Sequence, residues 1–267
     1  MVFYGNGEYE PYSTTNGYYG KSYSWYSSGS KIKHIIFEKG VTKIDEYSFY
    51  NWYSNYPNIK NVRIGNSITT IGFDAFLSCN SLKTVIIGNS VTSIGERAFF
   101  RCSSITTITI PENVTSIGSS AFYECRSLTN MTIPESVTSI GNGAFRYCSS
   151  LTTITIPENV TTIGSYTFED CSLLTTVVIK STNQLTFGAE VFWFCAKLTT
   201  FYFYSLIEPN YSTETNCYSS SCGSYESRVS CAPFYCKTPS ITVYVPKDYN
   251  STATTFCGKS VTFKREL

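Results

Sequence analysis

The stretch LTNMTIPESVTSIGNGAFRYCSS, from Leu128 to Ser150, decides the fold. Leu128, Met131 and Ile133 alternate at the end of their run as a strand does, which sends Met131 and Ile133 inward. Pro134 removes a backbone donor and stops that strand. Val137 and Ile140 point inward from a second short extended piece, Gly141 supplies a turn, and Ala144, Phe145 and Cys148 fill the far wall. The stretch is one of a series. Ile-Gly recurs at Ile71-Gly72, Ile94-Gly95, Ile117-Gly118, Ile140-Gly141 and Ile163-Gly164, always 23 residues apart. Phe76, Phe99, Phe122, Phe145 and Phe168 keep step, as do Cys79, Cys102, Cys125, Cys148 and Cys171. The 23-residue period lies within the roughly 20–29 residues of leucine-rich repeats. No unit can bury its apolar face alone, so stacked units share one core whose ends need caps.

The pattern runs beyond these five units. Val41-Thr42-Lys43-Ile44 and Phe49 form a degenerate unit with extra residues around Trp52 to Pro57, and Phe192, Cys195 and Leu198 continue the series after one extra residue. An expanded unit begins at Leu198, resumes at Ala232-Pro233-Phe234 and leads into Ile241-Thr242-Val243-Tyr244-Val245-Pro246. The expected organisation is an aromatic, Ser- and Gly-rich N-terminal cap over 1–30, about seven repeats over 31–204, a Cys-rich expanded repeat over 205–240, and a capping strand and tail over 241–267. The fold class expected is a β-rich repeat solenoid, right-handed and curved. Its parallel sheet is concave, with short extended or turn segments on the convex side.

The unit resembles the BspA-like leucine-rich repeat family of surface proteins. Its signature, I-P-x-x-V-T-x-I-G-x-x-A-F-x-x-C-x-x-L, is matched almost letter for letter by Ile110 to Leu128 and by Ile133 to Leu151. The resemblance covers about residues 31–204 and returns over 231–267, where Ile241 to Lys247 looks like the family's terminal strand. It implies adhesion or recognition at a surface.

The 267 residues carry 20 Lys plus Arg against 19 Asp plus Glu, a balance that argues against a nucleic-acid partner. No run of apolar residues is long enough for a transmembrane helix. Met1 to Asn6 lacks the basic start and apolar run of a secretory signal. His34 is the only histidine, no phosphate-binding loop or nucleophile motif accompanies it, and no cofactor or metal is expected. Glu112, Glu135 and Glu158 share one column. They could hold a cation, but a solvated edge explains them more simply.

Six of the eleven cysteines occupy the repeat column, with Cys195 as its sixth member. Neighbouring strands bring such residues within disulfide range, yet a buried column of thiols packs without any bond. Cys217, Cys222, Cys231 and Cys236 lie in the expanded loop, spaced as a disulfide loop more than as a zinc site. With Cys257 they leave an odd total. Eleven reactive thiols in the denatured chain would indicate the cytosol, and one to three an exported protein. Sequons occur at Asn113, Asn130, Asn159, Asn210 and Asn250; Asn210, in the loop, is the expected glycosylation site.

The outward positions of the main strand read as columns. One runs Lys33, Lys60, Lys83, Thr106, Thr129, Thr152, Thr175, Thr199. A second runs His34, Asn61, Thr84, Thr107, Asn130, Thr153, Thr176, Thr200, Thr242. The third runs Ile36, Arg63, Ile86, Thr109, Thr132, Thr155, Val178, Tyr202, Tyr244. The face is graded from basic through hydroxylated to aromatic. Lys60, Arg63 and Lys83 are expected to meet an acidic partner or anionic glycan, and Tyr202, Tyr244 and the adjoining loop of the irregular C-terminal end to form a second contact region. The expected function is a non-catalytic protein- or glycan-binding module, monomeric, at a cell surface or secreted. Alternatives are a cytoplasmic leucine-rich-repeat scaffold and, more remotely, an ice-binding threonine array.

Overall fold

A computed structural model describes residues 2–3, 32–50, 58–205, 209–211, 241–248, 255–256 and 259–265. Among these the chain winds as a solenoid of β-strands and turns with no helix. Each coil gives one strand to a main face and a two-residue strand to a second face. The main face comprises two six-stranded sheets. The first joins Val2–Phe3, His34–Phe37, Asn61–Ile64, Thr84–Ile86, Thr107–Thr109 and Asn130–Thr132. The second joins Thr153–Ile156, Thr176–Ile179, Thr200–Phe203, Ile241–Val245, Lys259–Arg265 and Thr255–Phe256. The second face is one eight-stranded sheet running from Lys43–Ile44 to Asn210–Tyr211. All pairings are parallel and in repeat register, except that Thr255–Phe256 returns antiparallel on Lys259–Ser260. The sheet therefore runs two strands past Ile241–Val245, and Phe263 packs against the core.

The inward assignments for the unit hold. Met131, Ile133, Val137, Ile140, Ala144, Phe145 and Cys148 are all buried. The phenylalanine column, from Phe49 to Phe192, is a stack with ring centroids 5.3–5.5 Å apart and planes within 7° of parallel. Identical residues at one repeat spacing can lie no other way without breaking register. Aromatic rings also favour offset contact at such distances.

The third side of each coil is a run of tight turns, and its backbone bonding can be counted completely. In the coil after Gly95, the N–H groups of Ala98, Phe100 and Cys102 donate to Gly95, Arg97 and Phe99 of the same coil. Those of Arg97, Phe99 and Arg101 donate to Ser119, Ala121 and Tyr123 of the next coil. Local and inter-coil bonds alternate, so no amide of this segment is orphaned. The arrangement goes with two left-handed residues per coil, such as Arg97 (φ 55°) and Arg101 (φ 58°), or Tyr166 (φ 61°) and Asp170 (φ 56°). Non-glycine residues in that region are uncommon and each stores strain on the order of 1 kcal/mol or more.

The Ile-Gly column is a correction to the expected turn role. Gly118, Gly141 and Gly164 do not take left-handed backbone angles. They are glycine because coils touch there. A Cβ on Gly141 would stand 2.5 Å from Ser119 N and 2.7 Å from Gly118 C. Gly143, two residues on, does take the left-handed conformation, at φ 59°.

Candidate functional site

The main face carries the three expected columns in register. His34 pairs with Asn61 and Asn61 with Thr84, while Arg63 lies between Ile36 and Ile86. The Lys60 N–H donates to Lys33 O at 2.7 Å and that of Lys83 to Lys60 O at 2.8 Å, so three lysines follow one another on adjacent coils. Lys33, Lys60, Arg63 and Lys83 are exposed. None forms an ion pair among the described residues. Neighbouring strands are about 4.8 Å apart, so like charges are held close with no carboxylate between them. Such a cluster repels itself and attracts an anion.

At the other end the register brings together residues separated by the long insertion. Tyr202 pairs with Tyr244, and Tyr244 with Lys264. The Tyr202 and Tyr244 rings stack with centroids 4.7 Å apart and planes 19° from parallel, and Lys264 Nζ lies 5.4 Å from the Tyr244 ring centre. Both tyrosines are part-exposed. A preordered aromatic pair beside a cation offers contact area at little entropy cost. Between the two ends, Thr107, Thr109, Asn130, Thr132 and Thr153 are exposed.

The six column cysteines are free thiols, fully buried. Each donates to the phenylalanine carbonyl of the preceding coil, as Cys102 Sγ does to Phe76 O at 3.1 Å and Cys148 Sγ to Phe122 O at 3.2 Å. Burial pushes the Cys148 thiol up to about 12, which makes it a packing group and not a nucleophile. Cys217, Cys222, Cys231, Cys236 and Cys257 lie outside the described residues. With six thiols kept in the core, an exported form with two disulfides among the other five would show seven thiols, not one to three.

The glutamate column serves the backbone. Glu135 Oε2 accepts from the Glu158 N–H at 3.1 Å, and Lys180 Nζ stands 3.5 Å from Glu135 Oε1. Among the described residues no three metal-ligating side chains converge. The sequon residues Asn113 and Asn159 use their amides as coil-to-coil donors, to Asn89 O at 2.6 Å and Glu135 O at 2.8 Å. Asn210 sits exposed on the last strand of the second face.

Two surface features escaped the column reading, which followed only the strand. A stripe of aromatics and arginines covers the turns. Phe100 stacks on Tyr123 at 4.5 Å, Arg97 lies over Phe73 and Phe100, and Arg146 lies over Tyr147 and Tyr166. Its charges are neutralised in place, Arg97 by Asp74 (3.1 Å) and Arg146 by Glu169 (2.7 Å). Desolvation pushes the Asp74 carboxyl up to about 6 although Arg97 opposes the shift. The signal was present in the x positions of A-F-x-x-C, where Phe100, Tyr123 and Tyr147 fall on the outside of the turn. The second feature is a cleft of about 430 Å³ beside Arg63 and Ile86.

The comparisons agree with this architecture. The BspA type leucine-rich repeat region, in six copies, matches residues 19–148 and 100–225. A leucine-rich repeat protein of T. pallidum is 27% identical, with a TM-score of 0.59 over 63% of this chain and 78% of its own. A leucine-rich repeat protein from Bacteroides ovatus is 22% identical, with a TM-score of 0.45 over 77% of this chain and 59% of its own. No curated protein matches the chain by sequence. Repeat period, inward pattern, parallel stacking and this match over more than half of the residues agree: the chain belongs to the BspA-type leucine-rich repeat family.

Proposed function

We propose that the chain is a non-catalytic binding module that recognises a protein or glycan ligand through its main strand face, in the setting of adhesion at a cell surface. The observation that carries this reading is the grading of the face. Its middle is threonine and asparagine, which suit strands and add little discrimination. Its ends hold an uncompensated basic group at Lys60, Arg63 and Lys83 and the stacked Tyr202–Tyr244 pair with Lys264. Aromatic and cationic anchors are the residues that dominate interface energetics. Membership of the BspA-type family supports the surface setting.

The test is a screen of the full chain against matrix proteins and glycan arrays, followed by Tyr202→Ala with Tyr244→Ala, and by Lys60→Ala with Lys83→Ala. Loss of binding in at least one pair is expected. A ligand held equally well by both variants would remove the reading. Antibody labelling of intact source cells tests the setting, and labelling only after permeabilisation would favour the cytoplasmic scaffold.

A further inference from the structure

Two departures from the repeat meet at one place on the molecule. After the main strand, the regular coils carry prolines whose rings are buried, at Pro111, Pro134 and Pro157. In the two preceding coils the corresponding residues are Gly65 and Gly88. The coils approach closely at these glycines, where a Cβ would stand 2.5 Å from Phe37 O or 2.6 Å from Gly65 O, and a cleft of about 430 Å³ lies beside them. On the strand side of the glycines it is lined by Arg63 and Ile86, on the turn side by Asn66 and Asn89, and from the preceding coil by Glu38 and Lys39. These are the coils that carry the basic group of the main face.

The lining has three kinds of chemistry in one small volume. Ile86 is 56% exposed, a large apolar side chain with no cover among the described residues. Arg63 has no ion-pair partner among them, and its planar guanidinium suits a two-point contact with a carboxylate or sulfate. Asn66 commits its Oδ1 to the Asn89 N–H at 3.0 Å, which leaves its amide NH2 as the donor. Small-ligand sites combine these elements: an apolar wall, a few amide groups to fix orientation, and one charge. Glu38 is the single carboxylate in the lining, against Lys39 and Arg63 within it and Lys33, Lys60 and Lys83 nearby on the face.

We propose that this cleft is a subsite for an acidic sugar of a polyanionic glycan, a ring that bears a carboxylate or sulfate. The C–H face of the ring would rest on Ile86, its hydroxyls would meet Asn66 and Asn89, and its acid would pair with Arg63. The lysine row would carry the flanking acidic units. This rests on the reading of the basic group as a contact region and adds to it the ligand class and the point of discrimination. An acidic peptide would satisfy the lysines, but it offers no ring for Ile86 and no hydroxyls for the asparagines.

The experiment is calorimetric titration of the full chain with an oligogalacturonate hexamer, a heparin hexasaccharide, maltohexaose and a polyglutamate peptide. Saturable binding of at least one acidic saccharide is expected, with none of maltohexaose. The two acids separate carboxylate from sulfate recognition. Arg63→Ala and Ile86→Glu change exposed side chains and preserve the fold, which circular dichroism checks. Each should weaken the acidic saccharide by about tenfold or more, and Lys197→Ala should not. Wild-type affinity in Arg63→Ala and Ile86→Glu, or polyglutamate held as tightly as the saccharides, overturns the cleft. If Lys60→Ala with Lys83→Ala alone removes binding, the basic row stands and the subsite falls. If no acidic saccharide binds, the subsite falls while recognition through Tyr202 and Tyr244 is tested separately.

Discussion

Gly118→Ala and Gly143→Ala are the same chemical change at sites governed by different physics, and their comparison tests how the coils are held. A Cβ on Gly118 would stand 2.6 Å from both Gly95 C and Glu96 N, where ordinary contact begins at 3.4 Å. Both are backbone atoms, so no side chain can swing away. The coils must part by about 0.8 Å, which stretches the Gly118 N–H bond to Ile94 O from 2.9 Å to beyond hydrogen-bond range. Overpacking costs roughly 1–3 kcal/mol, and an unpaired buried backbone group about 1–3 kcal/mol more. We expect a loss of about 3 kcal/mol. At Gly143 the nearest atom to an added Cβ is Ser120 Oγ at 3.5 Å, so space is open and only the left-handed backbone is at issue. That costs about 1 kcal/mol, partly offset by the lower unfolded-state entropy of alanine. Urea unfolding followed by circular dichroism gives both numbers, with the m value showing whether the solenoid still melts as one unit. A loss for Gly143→Ala equal to or larger than that for Gly118→Ala would refute the close-approach account.

Three further outcomes follow from the same structure. The column thiols should be silent to Ellman's reagent at pH 8 in the native chain and react on denaturation, since burial pushes Cys148 up to about 12; native reactivity at Cys148 would contradict the packing. Stability should fall as pH rises from about 4 to about 6, because the folded state holds the Asp74 proton to about 6 while the unfolded chain releases it near the ordinary aspartate value of 3.8. The effect is on the order of 1 to 2 kcal/mol once solvent screening is allowed for, and Asp74→Asn should flatten it in urea titrations across that range. Thr115→Val should cost less than about 0.5 kcal/mol, because the Thr115 N–H already donates to Thr92 O at 2.9 Å and the hydroxyl only adds a 3.3 Å bond to the same carbonyl. A thermal-melt loss several times larger would make the Thr115 hydroxyl bond a principal support of the coil contact.

Periodicity alone determined that these residues form a parallel solenoid with Ile, Val, Phe and Cys inside, because a strict 23-residue repeat leaves one way for identical apolar groups to meet. The same alignment predicted that Tyr202 and Tyr244 would be neighbours, since register carries across an insertion once strand columns are matched. Tertiary structure decided what depends on distance between coils. Gly118 and Gly141 read as turn residues in one coil, and only the stacked backbones show that they are contact points. The left-handed residues Arg97 and Arg101 leave no mark on a hydrophobic pattern, because their conformation follows from bonds to the next coil. The cleft beside Arg63 was likewise beyond the sequence reading, because its lining comes from three successive coils, at Glu38 and Lys39, at Arg63 and Asn66, and at Ile86 and Asn89. A repeat dictates its own stacking through hydrophobic pattern and register, whereas close approaches and clefts shared by successive coils exist only in three dimensions.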